Sequence, residues 1–146
     1  MANKYQSLIV EKIRDYLNAN KTVLGIPKIA IDELSTQRDS ISMGIESGEG
    51  SIERIADCTG TAYAGVLRIS FVYRVMQSVS GNDDLTYITL LDNLYNFLRM
   101  NYKSVSINNA FIDSVSQNQG AVLSQVYQGG VKDYKTMVNV TYERSN

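Results

Sequence analysis

The sequence predicts an α/β chain of the α+β type, in which a mixed, mainly antiparallel sheet packs against two amphipathic helices. Three features carry this reading. From Val66 to Met76 the residues alternate, with Leu67, Ile69, Phe71, Tyr73 and Val75 pointing one way and Arg68, Ser70 and Arg74 the other. From Asn82 to Met100 the period lengthens to that of a helix, and Ile88, Leu91, Leu94, Tyr95 and Leu98 form one stripe. Tyr134, Thr136, Val138, Val140 and Tyr142 then restore the two-residue period. The main core is expected from Leu67, Ile69, Phe71, Val75, Leu91, Leu94, Leu98, Val138 and Val140, between sheet and helices.

The remaining elements follow in chain order. Tyr5, Leu8, Ile9, Ile13, Tyr16 and Leu17 recur at steps of three and four, so residues 3–19 read as an amphipathic helix docked on the sheet. Asn18, Asn20 and Gly25 end it, and Pro27 marks the following loop. Ile29 and Ile31 suit a short edge strand. Ser40–Ser47 alternates, with Ile41, Met43 and Ile45 on one side. The stretch from Gly48 to Gly65 is punctuated by glycine, and Ile52 and Ile55 do not fit one strand face, so it reads as a long hairpin arm or mobile loop. Asn82, Asp83 and Asp84 place a cap and negative charge at the start of the second helix, with Arg99 and Lys103 at its other end. Ala110–Ser116 can form a strand that Gln117–Gln119 and Gly120 break, and an apolar-polar mixture runs from Ala121 to Tyr127 before Gly129 and Gly130.

At 146 residues the chain has the size of a single domain, 1–146, able to bury one main core. Hydrophobic residues make up 44% and charged residues 20%, as in globular proteins, and no apolar run approaches the roughly 20 residues that cross a bilayer. The opening MANKYQSLIVEKIRDYL interleaves charge with apolar residues, unlike a secretory signal, so a cytoplasmic setting is expected. Fourteen basic against fifteen acidic residues give a net charge of −1, with no basic run, which disfavours a dedicated nucleic-acid binder. Histidine is absent, removing the usual general base, the commonest transition-metal ligand and every His-dependent triad. Cys58, the one cysteine, permits neither an intrachain disulfide nor a CxxC motif, and is expected to be a small, partly buried side chain.

The acidic and glycine clusters offer little chemistry. Asp83 and Asp84 read as helix-capping charges, Glu46, Glu49 and Glu53 lack the ligand rhythm of an EF-hand, and Gly48 and Gly50 lack the companions of a phosphate loop. Of ten tyrosines, Tyr5, Tyr16, Tyr73, Tyr95, Tyr134 and Tyr142 fall on inferred core faces, whereas Tyr63, Tyr102 and Tyr127 lie near loops or element ends and suit partner contact. The polar side of the first strong strand also carries Val66, Val72 and Met76, so a helix or a neighbouring subunit should cover it. No catalytic, metal or cofactor residue is assigned. A subunit or partner interface is placed instead on Gly48, Glu49, Arg54, Arg68, Arg74, Gln117, Gln119 and Tyr127.

The order of these elements resembles that of the tail terminator family of long-tailed bacteriophages, also labelled minor capsid proteins. The resemblance is carried by an N-terminal amphipathic helix, a hairpin region, the strand AGVLRISFVYRV, the helix DDLTYITLLDNLYNFLR, a Gln/Gly-rich excursion and the final strand YKTMVNVTYE. It covers nearly the whole chain and rests on element order rather than on an invariant motif. It implies no reaction and no cofactor, and a ring of identical subunits, usually six. It further implies a place between the major tail tube protein and a head-completion protein, ending tube growth and offering a docking surface to the head. The resemblance thus implies assembly in the host cytoplasm and then a location in the virion at the head-tail junction. DNA would pass through the ring lumen without sequence-specific binding, and no membrane is involved. Another neck component, such as a head-completion or stopper protein, is the alternative. An intracellular binding module and a small enzyme working with carboxylates alone stand further off.

Overall fold

The computed structural model describes residues 4–36, 39–45, 52–76 and 84–145. Among the described residues two helices, four strands, a third helix and two further strands follow one another along the chain. The helices are α1 (Lys4–Ala19), the one-turn α2 (Lys21–Leu24) and α3 (Asp84–Asn101), the last running into a 3₁₀ turn at Tyr102–Ser104. The strands are β1 (Ile29–Ile31), β2 (Ser40–Ile45), β3 (Ile52–Ile55), β4 (Ala62–Val75), β5 (Ala110–Val126) and β6 (Lys132–Ser145). They form one mixed, mostly antiparallel open sheet in the order β1-β2-β4-β6-β5, with only β1 and β2 parallel. Because β6 pairs with β4 along its whole length, β3 occupies the same side of β4 as β2. β2 and β3 are therefore two parts of one line of pairing, in which β4 advances from Ile69 to Val66 while the other chain passes from Ile45 to Ile52.

Alternation along β4 separates the two faces as expected. Leu67, Ile69 and Phe71 are fully buried, together with Val138, Val140 and Tyr142 of β6 and Ile41 and Met43 of β2. Both long helices lie on this face. The stripe of α3 is Tyr87, Leu91, Leu94 and Leu98, with Ile88 and Tyr95 at its margin. Tyr87 stacks on Tyr134 at 5.2 Å and meets Tyr73 edge-on at 5.5 Å, tying α3 to two central strands. All nine expected core residues are buried.

The stripe of α1 is rotated from the sequence reading. Gln6, Ile9, Val10, Ile13 and Leu17 are buried, while Tyr5, Leu8 and Tyr16 sit at the edge. Gln6 is tolerated inside because its amide donates to the Tyr142 hydroxyl at 3.1 Å. Asn18 closes the helix onto the sheet: its side chain donates to the Ile29 carbonyl at 3.1 Å and accepts from the Ile29 N–H at 2.7 Å. The helices meet through stacked Tyr16 and Phe97, 5.8 Å apart.

Two expectations are corrected and two open alternatives are narrowed. Residues 52–55 are a strand paired antiparallel with β4, the hairpin arm rather than the mobile loop, and their two isoleucines, pointing to opposite faces, are both exposed. Gln117–Gln119 and Gly120 do not break the chain: β5 continues through them by slipping its register against β6, spending 17 residues where β6 uses fewer. Cys58 is exposed in a turn and not partly buried. Among the described residues no helix covers the second face of the sheet, since both long helices lie on the first. Residues 46–51 and the capping positions Asn82 and Asp83 lie outside the described residues.

Candidate functional site

The second face of the sheet is built from the polar half of each alternation. β4 contributes Val66, Arg68, Ser70, Val72 and Arg74, and the registers set beside them Thr141, Asn139, Met137, Lys135 and Asp133 of β6. Arg74 is held tightly, donating from Nε to one Asp133 oxygen at 2.8 Å and from an Nη to the other at 3.0 Å. Tyr127 completes this corner: its hydroxyl donates to Asp133 at 2.8 Å, and its ring lies 5.1 Å beneath the guanidinium. The Asp133 carboxylate consequently raises the pKa of Arg74 and, by accepting its hydrogen bond, that of the Tyr127 hydroxyl. Arg68 donates to Asn139 at 3.3 Å.

A second cluster anchors β3 on the helix side. Glu53 receives both Nε and Nη of Arg144 at 2.8 and 2.7 Å, and the Tyr142 hydroxyl at 2.6 Å. The guanidinium lies between the rings of Tyr5 and Tyr63, 4.1 and 4.0 Å from their centroids. Burial and the bond to Glu53 push the Tyr142 phenol well above its usual range. Tyr63 and Tyr127, expected to meet a partner, are thus used within the chain to hold arginines.

The edges of the sheet are its most unusual surfaces. β5 is paired with β6 on one side, and among the described residues its other side is paired only at Ala110, by an isolated bridge to Ile107. Its exposed apolar residues are Phe111 (53%), Val122 (41%), Leu123 (37%) and Val126 (57%). Natural edge strands are commonly blunted by lysine or proline, yet Ala110–Val126 has no proline and a single charged residue, Asp113. On the opposite edge β3 exposes Ile52 (61%) and Ile55 (60%), with Arg54 exposed between them and Glu53 turned inward.

The residues expected at an interface are distributed over these surfaces. Arg54 lies on the β3 edge, Arg68 and Arg74 on the open face, Gln117 and Gln119 on β5, and Tyr127 at its end. The structure brings Arg74 and Tyr127 together, and it ties Gln117 and Gln119 to one residue: the Gln117 amide lies 3.5 Å from the Thr136 hydroxyl, which donates to the Gln119 carbonyl at 2.9 Å. Gly48 and Glu49 lie outside the described residues. Sequence reasoning missed Phe111, an exposed aromatic whose neighbours in the sequence gave no period to betray it, and the Glu53–Arg144 pair, whose members are distant in sequence.

Other features have structural explanations. Asp57 accepts from Thr59, Thr61 and the Thr61 backbone N–H in a surface turn, bonds that bring its pKa down to about 2. Asp84 accepts from the Tyr134 hydroxyl and from Lys132 at 3.3 Å, fastening the start of α3 to β6. A cleft of about 910 Å³ lies beside β1 and is lined by Lys21, Lys28, Glu33 and Asp39 among others. Asp39 there accepts the Met76 N–H at 3.1 Å. Among the described residues no three acidic or cysteine side chains gather as a metal site, and no helix is long and apolar enough to cross a membrane.

No protein-family model matches this chain, and no curated protein matches its sequence.

Proposed function

We propose that this chain is a structural virion protein of a long-tailed bacteriophage, a ring-forming tail terminator that caps the tail tube and presents a docking surface to the head connector. The observation carrying this reading is the long β5 edge, nearly uncharged, bearing four exposed large apolar side chains and, beyond Ala110, paired on one side only among the described residues. An edge of this composition is a template for pairing with another chain, and a protein that must avoid self-association would carry charge there. The order of helices and strands, compared above with the tail terminator family, supports the same reading. A bare sheet face with apolar residues among its arginines also suits contact between protomers.

The test is reconstitution with the tail tube protein encoded by the same genome. Added to tubes that are still growing, the protein should stop elongation and be found by immunogold labelling at one end only. Continued elongation with no terminal label would reject the terminator role. Terminal label on the head connector instead of the tube would assign the protein to the other side of the neck, as a head-completion or stopper component.

A further inference from the structure

The pairing registers place the two open edges of the sheet at the same height. Ile52 of β3 lies on one rung with Val66, Thr141 and Ser114, and Ile55 on one rung with Tyr63, Arg144 and Ala110. Between them Arg54, Ala64, Glu143 and Phe111 share a rung and point to the same face. β3 and β5 thus end the same rungs on opposite sides. They also run in opposite directions, since β3 is antiparallel to β4, and β5 is antiparallel to β6, itself antiparallel to β4. A β5 edge laid beside a β3 edge of a second molecule continues the sheet in antiparallel sense.

The charges on these edges are complementary. Asp113 falls in the register slip between Ile112 and Ser114, where a bulge leaves it unpaired with β6 and exposed. Among the described residues neither Asp113 nor Arg54 forms an ion pair. We propose that copies of this chain join edge to edge, residues 111–117 of β5, beyond the Ile107–Ala110 bridge, pairing with β3 of the next copy so that Arg54 sits against Phe111 and Asp113. Ile52 and Ile55 are covered in the same contact. The guanidinium gains a carboxylate and an aromatic face together. This proposal rests on the ring-forming reading above and specifies how the ring is made.

Two geometric consequences follow. The contact is heterologous, using two different patches on each copy, and because both patches occupy the same rungs its repetition carries no rise along the strands, which favours a ring over a filament. At the other end of the sheet β1 lies one strand outside β2, so a neighbour cannot lie flat along the whole edge. The register slips between Gln117 and Val122 bend β5 there, confining the contact to its first half.

A charge-exchange cycle on the full chain tests the pairing. Arg54→Glu and Asp113→Lys, both at exposed positions, should each raise the concentration for half-assembly by on the order of tenfold or more, with unchanged circular dichroism. The double variant should recover most of the loss, because it restores opposite charges across every contact. In a Cys58→Ser background, Arg54→Cys mixed with Asp113→Cys should give disulfide-linked dimers, and neither alone should. Wild-type rings indifferent to both charge reversals, or a double variant no better than the singles, would overturn this pairing and leave the ring-forming reading intact. Cross-linking of Asp113→Cys with itself would show β5 pairing with β5, and would also overturn it. A wild type that stays monomeric at every concentration would overturn the ring-forming reading and this pairing together.

Discussion

A Cβ atom at Gly65 would stand 2.6 Å from the Tyr142 ring and 2.7 Å from the Ile52 carbonyl. The carbonyl is backbone and cannot swing aside, so Gly65→Ala must push β3 away from β4. Thermal unfolding should show a loss of about 1–3 kcal/mol, the usual cost of overpacking, and an unchanged melting temperature would contradict the tight β3–β4 contact. Phe71 is fully exposed to core neighbours and not to water; Phe71→Ala should cost about 3–5 kcal/mol in chemical denaturation. The tyrosines supply a pH prediction. Burial, helped by Asp39 and Tyr87, pushes the Tyr73 phenol up to about 12, from an ordinary value of 10.0. A folded pKa above the unfolded one means that this stabilisation is complete below pH 10 and is lost as pH rises from there through 12. Stability against alkali should therefore hold to that point and then fall, and the fall should be smaller in Tyr73→Phe. At this scale the sequence was only partly legible. Fully apolar positions in strict alternation, such as Leu67 and Ile69, declared themselves. Gln6 and Tyr87 did not, because a buried amide and a buried phenol depend on partners more than 40 residues away, the Tyr142 hydroxyl and the Tyr134 ring.

The central elements β4, β6 and α3 and the edge strand β1 were read correctly, α1 with its stripe rotated, and β3 and β5 only in part. β4, β6 and α3 carry their period in the sequence because each has a wet or open side and a core side. β5 hides its continuation beyond Ser116 because register irregularities reset which residues face inward, and most of its side chains meet no core at all. β3 hides for a related reason, since its two isoleucines point to opposite faces and are both exposed, while its inward residue is a glutamate neutralised by Arg144. These marginal elements are the ones to which an assembly role is assigned here, as expected where surface pairing rather than core packing selects the residues. Hydrogen exchange should find the β5 amides that do not face β6 unprotected in dilute protein and protected at concentrations where the protein associates. Equal, rapid exchange of those amides in the associated protein would exclude β5 as a pairing edge. Val122→Lys, a gatekeeper charge in the second half of β5, should leave circular dichroism unchanged, because Val122 is already exposed.

Among the described residues, ion pairs tie the elements of a two-layer fold to one another. Asp133 holds Arg74, Glu53 holds Arg144, and Asp84 holds Lys132 and Tyr134. What the described residues leave for a partner is a sheet with helices on one face, arginines and valines on the other, and a strand edge at each side with the exposed charges of Arg54 and Asp113. The open second face was expected to be covered by a helix or a subunit, and with both long helices on the opposite side the subunit is the covering we propose. We propose that a protein built this way is one part of a larger assembly, a closed ring of its own copies. Sedimentation velocity of the wild-type chain over a wide concentration range, with native mass spectrometry of the heaviest species, tests it most directly. A closed ring requires one species of fixed stoichiometry, a whole number of subunits that does not grow further with concentration. A monomer throughout, or a size that climbs without limit as concentration rises, would contradict it.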